Sequence, residues 1–273
     1  MAYPLDVGGV DDYPVKVGSC LITMVEPHKG FERAFNRWYE RDHYYAGCMV
    51  GPWLFAGSRW VAPRRLKDQR WPKDTTIANP YDAGSYIAIY WVEKGHHDEH
   101  FNKWAVDQVR ALYAENRGFP ERTHQHTSLF DHLGSVYRDD DPVPIDLALD
   151  HGYDALVVLW WDANEGDAKG FAETLKSDYV PGLVAGSDIE IASSWAPSVP
   201  DEPKRDVPMD LGSSSGSTNR LVQMLFIGGD VEAEMDRIHK YCDQIEGDGV
   251  AKLLLAAPFF RTVIGTDKYV DEL

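Results

Sequence analysis

The residue types best suited to chemistry cluster in one stretch, Trp38-Tyr39-Glu40-Arg41-Asp42-His43-Tyr44-Tyr45. An imidazole with a pKa near ~6.5 accepts and returns a proton at neutral pH, which makes His43 the leading candidate for general acid–base work. If this stretch is helical, Tyr39 shares the face of His43 one turn away. A phenol at Tyr39, or at Tyr44, can donate to an enolate or phenolate oxygen as charge develops. Asp42 follows Trp38 by four residues, on an apolar stripe, where a carboxylate needs a partner. Arg59 or a strand histidine is the expected partner. Each of these residues also has a plainer reading. His43 can satisfy helix C-terminal carbonyls, Trp38 and the tyrosines can be core and rim, and Arg59 can be a surface arginine.

Two further groups of histidines compete with this stretch. His124 and His126 alternate in Thr123-His124-Gln125-His126-Thr127, so an unbroken strand points both to one face. Facing a pocket, they would contact substrate. No third ligand lies nearby in sequence, so no metal site is expected. His96-His97-Asp98-Glu99-His100 opens a helix and is read as its solvated, acidic first turn. The GxGxxG, GxxxxGK[ST] and HExxH patterns are missing, which disfavours dinucleotide, ATP and zincin chemistry.

A net charge of −17 argues against nucleic-acid or anionic-membrane partners. Three scattered cysteines fit reduced thiols rather than a disulfide framework. The opening MAYPLDVGGVDDYP lacks a basic, then apolar, secretory pattern, and no apolar run is long enough to span a membrane. A cytoplasmic location is expected.

The elements that must position these residues repeat. Apolar, β-branched runs at 20–25, 86–92, 155–161 and 221–227 read as core strands. Each is followed by a helical pattern, at 30–50, 98–115, 167–179 and 231–245, the third stopped by Pro181-Gly182. Extended segments at 53–61, 123–137, 188–195 and 252–264 complete the order β-α-β-β-α-β, written twice. Long connections at 63–84 and 197–219 match between the halves. The first, with Arg64, Arg65, Trp71 and Tyr81, can close over something, whereas the Ser/Gly run 212–217 makes the second read as a spacer. The fold class is therefore α+β, with two tandem ferredoxin-like βαββαβ repeats, 1–140 and 141–273, forming an intramolecular dimeric α+β barrel.

The segment Gly30-Phe31-Glu32-Arg33-Ala34-Phe35-Asn36-Arg37-Trp38-Tyr39-Glu40-Arg41-Asp42-His43, with Gly57-Ser58-Arg59-Trp60 after it, resembles the first helix and following strand of EthD-like proteins in the dimeric α+β barrel superfamily. In that family an FNxWY stretch precedes an acidic pair and a histidine. A proline commonly follows that histidine, where this chain has Tyr44-Tyr45-Ala46-Gly47. The superfamily includes aromatic polyketide cyclases, cofactor-free monooxygenases, lyases, dehydratases and haem-degrading enzymes, so the resemblance implies a fold and only a range of chemistries.

Together these readings predict a cofactor-free enzyme moving a proton through His43, with Tyr39 and Asp42, on a small aromatic or polyketide-like molecule. Trp38, Tyr44, Arg59, His124 and His126 are expected around the substrate. Cyclisation, dehydration, isomerisation and C–C lysis share this enol chemistry. A cofactor-independent monooxygenase, a non-catalytic carrier of a small hydrophobe and an assembly subunit are the alternatives, and a homodimer of the tandem chain stays open. The second repeat has Lys176-Ser177-Asp178-Tyr179 where the first has Glu40-Arg41-Asp42-His43, so it is expected to serve as scaffold.

Overall fold

The computed structural model describes residues 14–202 and 207–273; most of the N-terminal stretch tested for a secretory signal, and part of the second long connection, lie outside the described residues. The first repeat runs β1 (Val17–Pro27), α1 (Glu32–Trp38) continuing as π-helical turns (Tyr39–Met49), and β2 (Leu54–Val61). The short α2 (Arg64–Lys67), β3 (Tyr86–Glu93), a π-helical stretch (Asp98–Ala105) leading into α3 (Val106–Ala114), and β4 (Arg122–Tyr137) complete it. The second runs β5 (Ala155–Ala163), α4 (Ala168–Thr174), a π-helical turn (Leu175–Tyr179), α5 (Val180–Val184), β6 (Ile189–Pro197), β7 (Arg220–Ile227), α6 (Val231–Gly247) and β8 (Ala251–Arg261). Pro181 does not stop the third helix as expected. It sits in the first turn of α5, where a missing N–H costs nothing, so the chain continues helical to Val184.

The strands close into one antiparallel barrel ordered β1-β3-β2-β8-β5-β7-β6-β4. Within each repeat the spatial order is fourth, first, third, second strand, the ferredoxin-like arrangement, so the fold is an α+β barrel of two such units in one chain. The units join at two seams of unequal length. β4 pairs with β6 from Phe130↔Pro197 to Tyr137↔Ile191, whereas β2 meets β8 only at Trp60↔Arg261 and Val61↔Phe260. Beside the short seam the first long connection adds an extended residue: Ala256 N–H donates to the Trp71 carbonyl at 2.7 Å, and Trp71 stacks on His239 of α6. The connection therefore contributes Trp71 to the barrel wall.

Strand alternation divides the apolar residues between two layers. On β3, Ile87, Ile89 and Trp91 face the barrel interior, while Tyr86, Ala88, Tyr90 and Val92 lie beneath the helices of the first repeat. Four tryptophans, Trp60, Trp91, Trp160 and Trp195, fill the interior with no exposed surface. Trp91 stacks on Trp195 across the two repeats at 4.7 Å. On the outer face, Asp167 and Asp230 cap α4 and α6 by accepting from Gly170 N–H and Glu232 N–H, which sets where those helices begin. Among the described residues no helix is long and apolar enough to cross a membrane.

Because Trp91 and Trp195 join the repeats through the barrel interior, Trp91→Ala is expected to destabilise the chain by about 3–5 kcal/mol, read as a lower urea midpoint. Both repeats should then unfold in one transition. Independent melting of the two halves would show that the barrel is not their common core.

Candidate functional site

Between the outer face of the first-repeat sheet and its two helices lies a cavity of about 130 Å³. That is close to the ~150 Å³ of an apolar cavity that holds benzene. Leu21, Val25, Leu54, Phe101, Val109 and Leu129 make it largely apolar, and Tyr39, His43, Arg122 and His124 supply its polar corner. One wall belongs to the other repeat. Val207, Met209 and Leu211, from the second long connection, line the cavity. Beyond them the strand-like Ser213 is stitched down, its N–H donating to the Gln125 carbonyl at 2.8 Å and its hydroxyl to the Ile77 carbonyl at 2.9 Å. The stretch expected to be a spacer is thus a built wall of the site, held by backbone bonds that a Ser/Gly composition does not announce.

His43 sits on the π-helical turns after α1. Its ring stacks on Trp38 at 4.6 Å and meets the edge of Tyr39 at 5.0 Å. Gly47 gives it room, since a β-carbon there would lie 2.6 Å from His43 Nδ1. No hydrogen bond engages the imidazole among the described residues. Burial, and then the Arg122 charge, push its pKa down to about 3, while Asp42 opposes the shift. His43 is therefore a neutral base with free nitrogens beside the cavity.

His124 is its opposite. Arg122 Nε donates to His124 Nε2 at 3.1 Å, so the proton is on Nδ1, which donates to Thr127 Oγ1 at 2.7 Å. Thr127 in turn bonds Thr23 Oγ1 at 2.8 Å. With both nitrogens committed, His124 holds Arg122 in place and has no free nitrogen with which to shuttle a proton. Burial again comes first among the causes that bring its pKa down to about 3.

The expectation that His124 and His126 share a face does not hold. The ladder pairs Met24 with His126 but Val25 with His124, so Gln125 is an extra residue, a β-bulge. The bulge turns His126 into the barrel interior. There its Nδ1 donates to Ser213 Oγ at 2.9 Å, its Nε2 has no partner, and its ring meets Trp160. His126 does not touch the cavity.

Several other expected residues are also placed elsewhere. Asp42 pairs with Arg117, whose Nε lies 3.2 Å from one carboxylate oxygen, rather than with Arg59 or a histidine. That guanidinium holds the Asp42 carboxyl below the usual carboxylate range. Trp38 donates its indole N–H to the Arg117 carbonyl at 2.9 Å and acts as the plate under His43. Arg59 is buried against Glu40 at 3.4 Å and Asn36 at 3.2 Å, with its guanidinium 4.3 Å from the Tyr39 ring. Tyr44 donates to the Gly57 carbonyl at 2.6 Å. Both Arg59 and Tyr44 line a separate hollow of about 40 Å³ near the short seam. Tyr39 does reach the cavity, where its hydroxyl bonds Tyr90 at 2.8 Å and burial raises its pKa.

Sequence reading passed over Arg122, Tyr90, Thr127 and His100. His100, placed in a solvated helix turn, is buried at 2% exposure, donates from Nδ1 to the Pro52 carbonyl at 2.7 Å, and lines the cavity. Only its four-residue step before Trp104 hinted that it faces inward. In the second repeat Trp161 meets Phe171 and Tyr241 between sheet and helices, and a polar hollow lies among Asp178, Tyr179, Glu234, Arg237 and Lys240. Tyr179 there points outward to Asp248.

No protein-family model and no curated protein matches the chain. Among solved structures, a candidate monooxygenase of Fusobacterium nucleatum subsp. nucleatum is 11% identical, with 90% of this chain and 92% of that one covered and a TM-score of 0.49. A candidate chlorite dismutase is 11% identical over 94% of this chain and all of its own, with a TM-score of 0.49. An anthrone oxidase-like protein is 9% identical over 92% and 95%, with a TM-score of 0.48. All three scores fall below 0.5, and the chemistry of the site is that of this chain's own residues.

Gly47→Ala is expected to drive His43 off the Trp38 stack, moving the His43 ring signals in an NMR spectrum while the fold persists. Unmoved signals would show that the imidazole does not depend on that space. Linkage provides a second check. The pKa of His126 falls to about 3 in the folded chain against ~6.5 unfolded, so the unfolded chain takes up a proton first as the pH drops. Its contribution is complete above about pH 6.5 and is lost toward pH 3, at up to about 1.4 kcal/mol per pH unit. His126→Asn should flatten the stability–pH curve between pH 6.5 and 4 by about one proton.

Proposed function

We propose that this chain is an enzyme that moves a proton through His43 on a small aromatic or polyketide-like molecule held in the first-repeat cavity. The observation that supports it best is the state of His43: neutral, unbonded, stacked in place, and in the polar corner of an apolar cavity that it shares with the Arg122 cation. A neutral acid entering the cavity can pass its proton to the imidazole. The enolate or phenolate left behind then lies near Arg122, whose charge offsets it. Once that anion forms, it offsets the Arg122 charge that adds to burial in keeping His43 unprotonated, so imidazolium and anion stabilise each other.

Tyr39 is the phenol that the geometry leaves for the developing oxyanion, since Tyr44 spends its hydroxyl on Gly57 outside the cavity. Asp42 acts through position and field rather than by carrying a proton, because Arg117 holds it ionised. Cyclisation, dehydration, isomerisation and C–C lysis all begin with such a step, and none asks for a resident cofactor. The proposal includes the EthD-like assignment of residues 30–60, a cytoplasmic location, and a division in which 1–140 bears the site and 141–273 is scaffold. The three free, buried cysteines accord with a reducing compartment.

A thermal-shift screen of wild type and His43→Ala against phenolic, quinone and polyketide-like compounds, with each stabilising compound checked for chemical change, tests this reading. A ligand that stabilises both proteins should be transformed by wild type alone, with kcat lowered about 10²–10⁴-fold by His43→Ala and binding nearly unchanged. Tyr179→Ala should leave turnover within about twofold, because Tyr179 lies in the second repeat, bonded to Asp248 and outside the first-repeat cavity. A ligand that binds both and is never altered would make the chain a carrier. Equal losses at His43 and Tyr179 would end the assignment of the second repeat as scaffold.

A further inference from the structure

Arg122 opens β4 and brings its guanidinium to the polar corner of the cavity. Nε donates to His124 Nε2 at 3.1 Å, one terminal nitrogen to the Phe119 carbonyl at 2.8 Å, and the other to the Tyr113 hydroxyl at 3.0 Å. The guanidinium carbon lies 4.8 Å from the centre of the Trp38 ring. Every one of these partners is neutral. Two buried arginines face a carboxylate, Arg59 with Glu40 at 3.4 Å and Arg220 with Asp162 at 2.6 Å, while a third, Arg70, spends its terminal nitrogens on the Ala83 and Gly84 carbonyls. Among the described residues no carboxylate pairs with Arg122.

A guanidinium has five N–H donors, and three are used here, so two remain. An uncompensated cation in apolar surroundings is costly, and its two spare donors match the spacing of a carboxylate's oxygens. The rest of the cavity is apolar and about the size of one aromatic ring. We propose that its ligand is a small aromatic carboxylic acid, the carboxylate taken by Arg122 and the ring lying among Leu21, Val25, Phe101 and Val109. The interlocked set Thr23–Thr127–His124–Arg122 then reads as a brace that fixes the fork's direction before the ligand arrives. The inference rests on the cavity being the substrate site and names the class of molecule it admits.

Calorimetric titration of the full chain with benzoate and with benzamide, which share a ring and differ in charge, reads this directly. Benzoate should bind about tenfold tighter or more, the scale of a charge-assisted hydrogen-bond pair. Arg122→Gln should erase that preference, while Arg122→Lys, a charge without the fork, should keep part of it. Equal affinity for benzoate and benzamide, no saturable benzoate binding, or a preference that survives Arg122→Gln would each overturn the inference. If the Gln variant does not fold by circular dichroism, the wild-type ratio and the Lys variant decide. The readout is independent of turnover. Benzoate selectivity retained in His43→Ala with no acid ever transformed would sink the enzyme and keep the anion site; turnover of uncharged compounds with no selectivity would do the reverse.

Discussion

The whole molecule depends on one constraint: a four-stranded sheet with helices on one side has a bare apolar face on the other. Each repeat makes such a sheet, and neither can leave it in water. Closing the two into one barrel buries both faces together and leaves edge unpaired only along the short β2–β8 seam, at the cost of joining strands from distant parts of the chain. The interior is then too wide for aliphatic side chains alone, and Trp60, Trp91, Trp160 and Trp195 occupy it. The unequal seams follow from the same closure. Where β2 and β8 share only two residue pairs, a connection folds over and supplies Trp71 to continue the wall.

With the interior filled, any cavity has to lie on the helical side, and the two repeats treat that side differently. In the second, Trp161, Phe171 and Tyr241 take up the space between sheet and helices. In the first, the corresponding layer carries Leu21, Thr23, Val25 and Thr127 on the sheet, and the π-helical turns after α1 run on to Met49, longer than the single turn Leu175–Tyr179 after α4. The wider π turn is a common feature of functional sites, because it displaces side chains from the regular helical stripe. The second repeat contributes to the site all the same, through the wall at Val207, Met209 and Leu211. Joining the repeats covalently fixes which half supplies that wall.

The electrostatics of the site run against those of the chain. A protein with a net charge of −17 places Arg122, which no carboxylate pairs among the described residues, next to two neutral histidines. His43 and His124 stay uncharged because burial penalises the imidazolium and Arg122 repels it. Although both histidines share this environment, hydrogen bonds divide their roles. Both nitrogens of His124 are occupied, whereas those of His43 are open.

The order of elements and the doubling of β-α-β-β-α-β were legible in the sequence, because periodicity and turn residues act locally. The same local logic placed Tyr39 and His43 together, since four residues on one helical stretch cannot lie far apart. Partners across the fold were not legible. Asp42 found Arg117 rather than Arg59, and Arg122 became the cation of the cavity, because such contacts depend on where strands and turns distant in sequence come to rest. The bulge at Gln125 is the sharpest case. Alternation in the sequence places His124 and His126 on one face, and a single extra residue, required where β4 follows β1 past Met24, sends them to opposite sides of the wall. Residue types and local period were thus set by the sequence alone. Which polar groups meet, which are buried and which face the cavity was decided only by barrel closure, because burial and charge compensation belong to the packed whole.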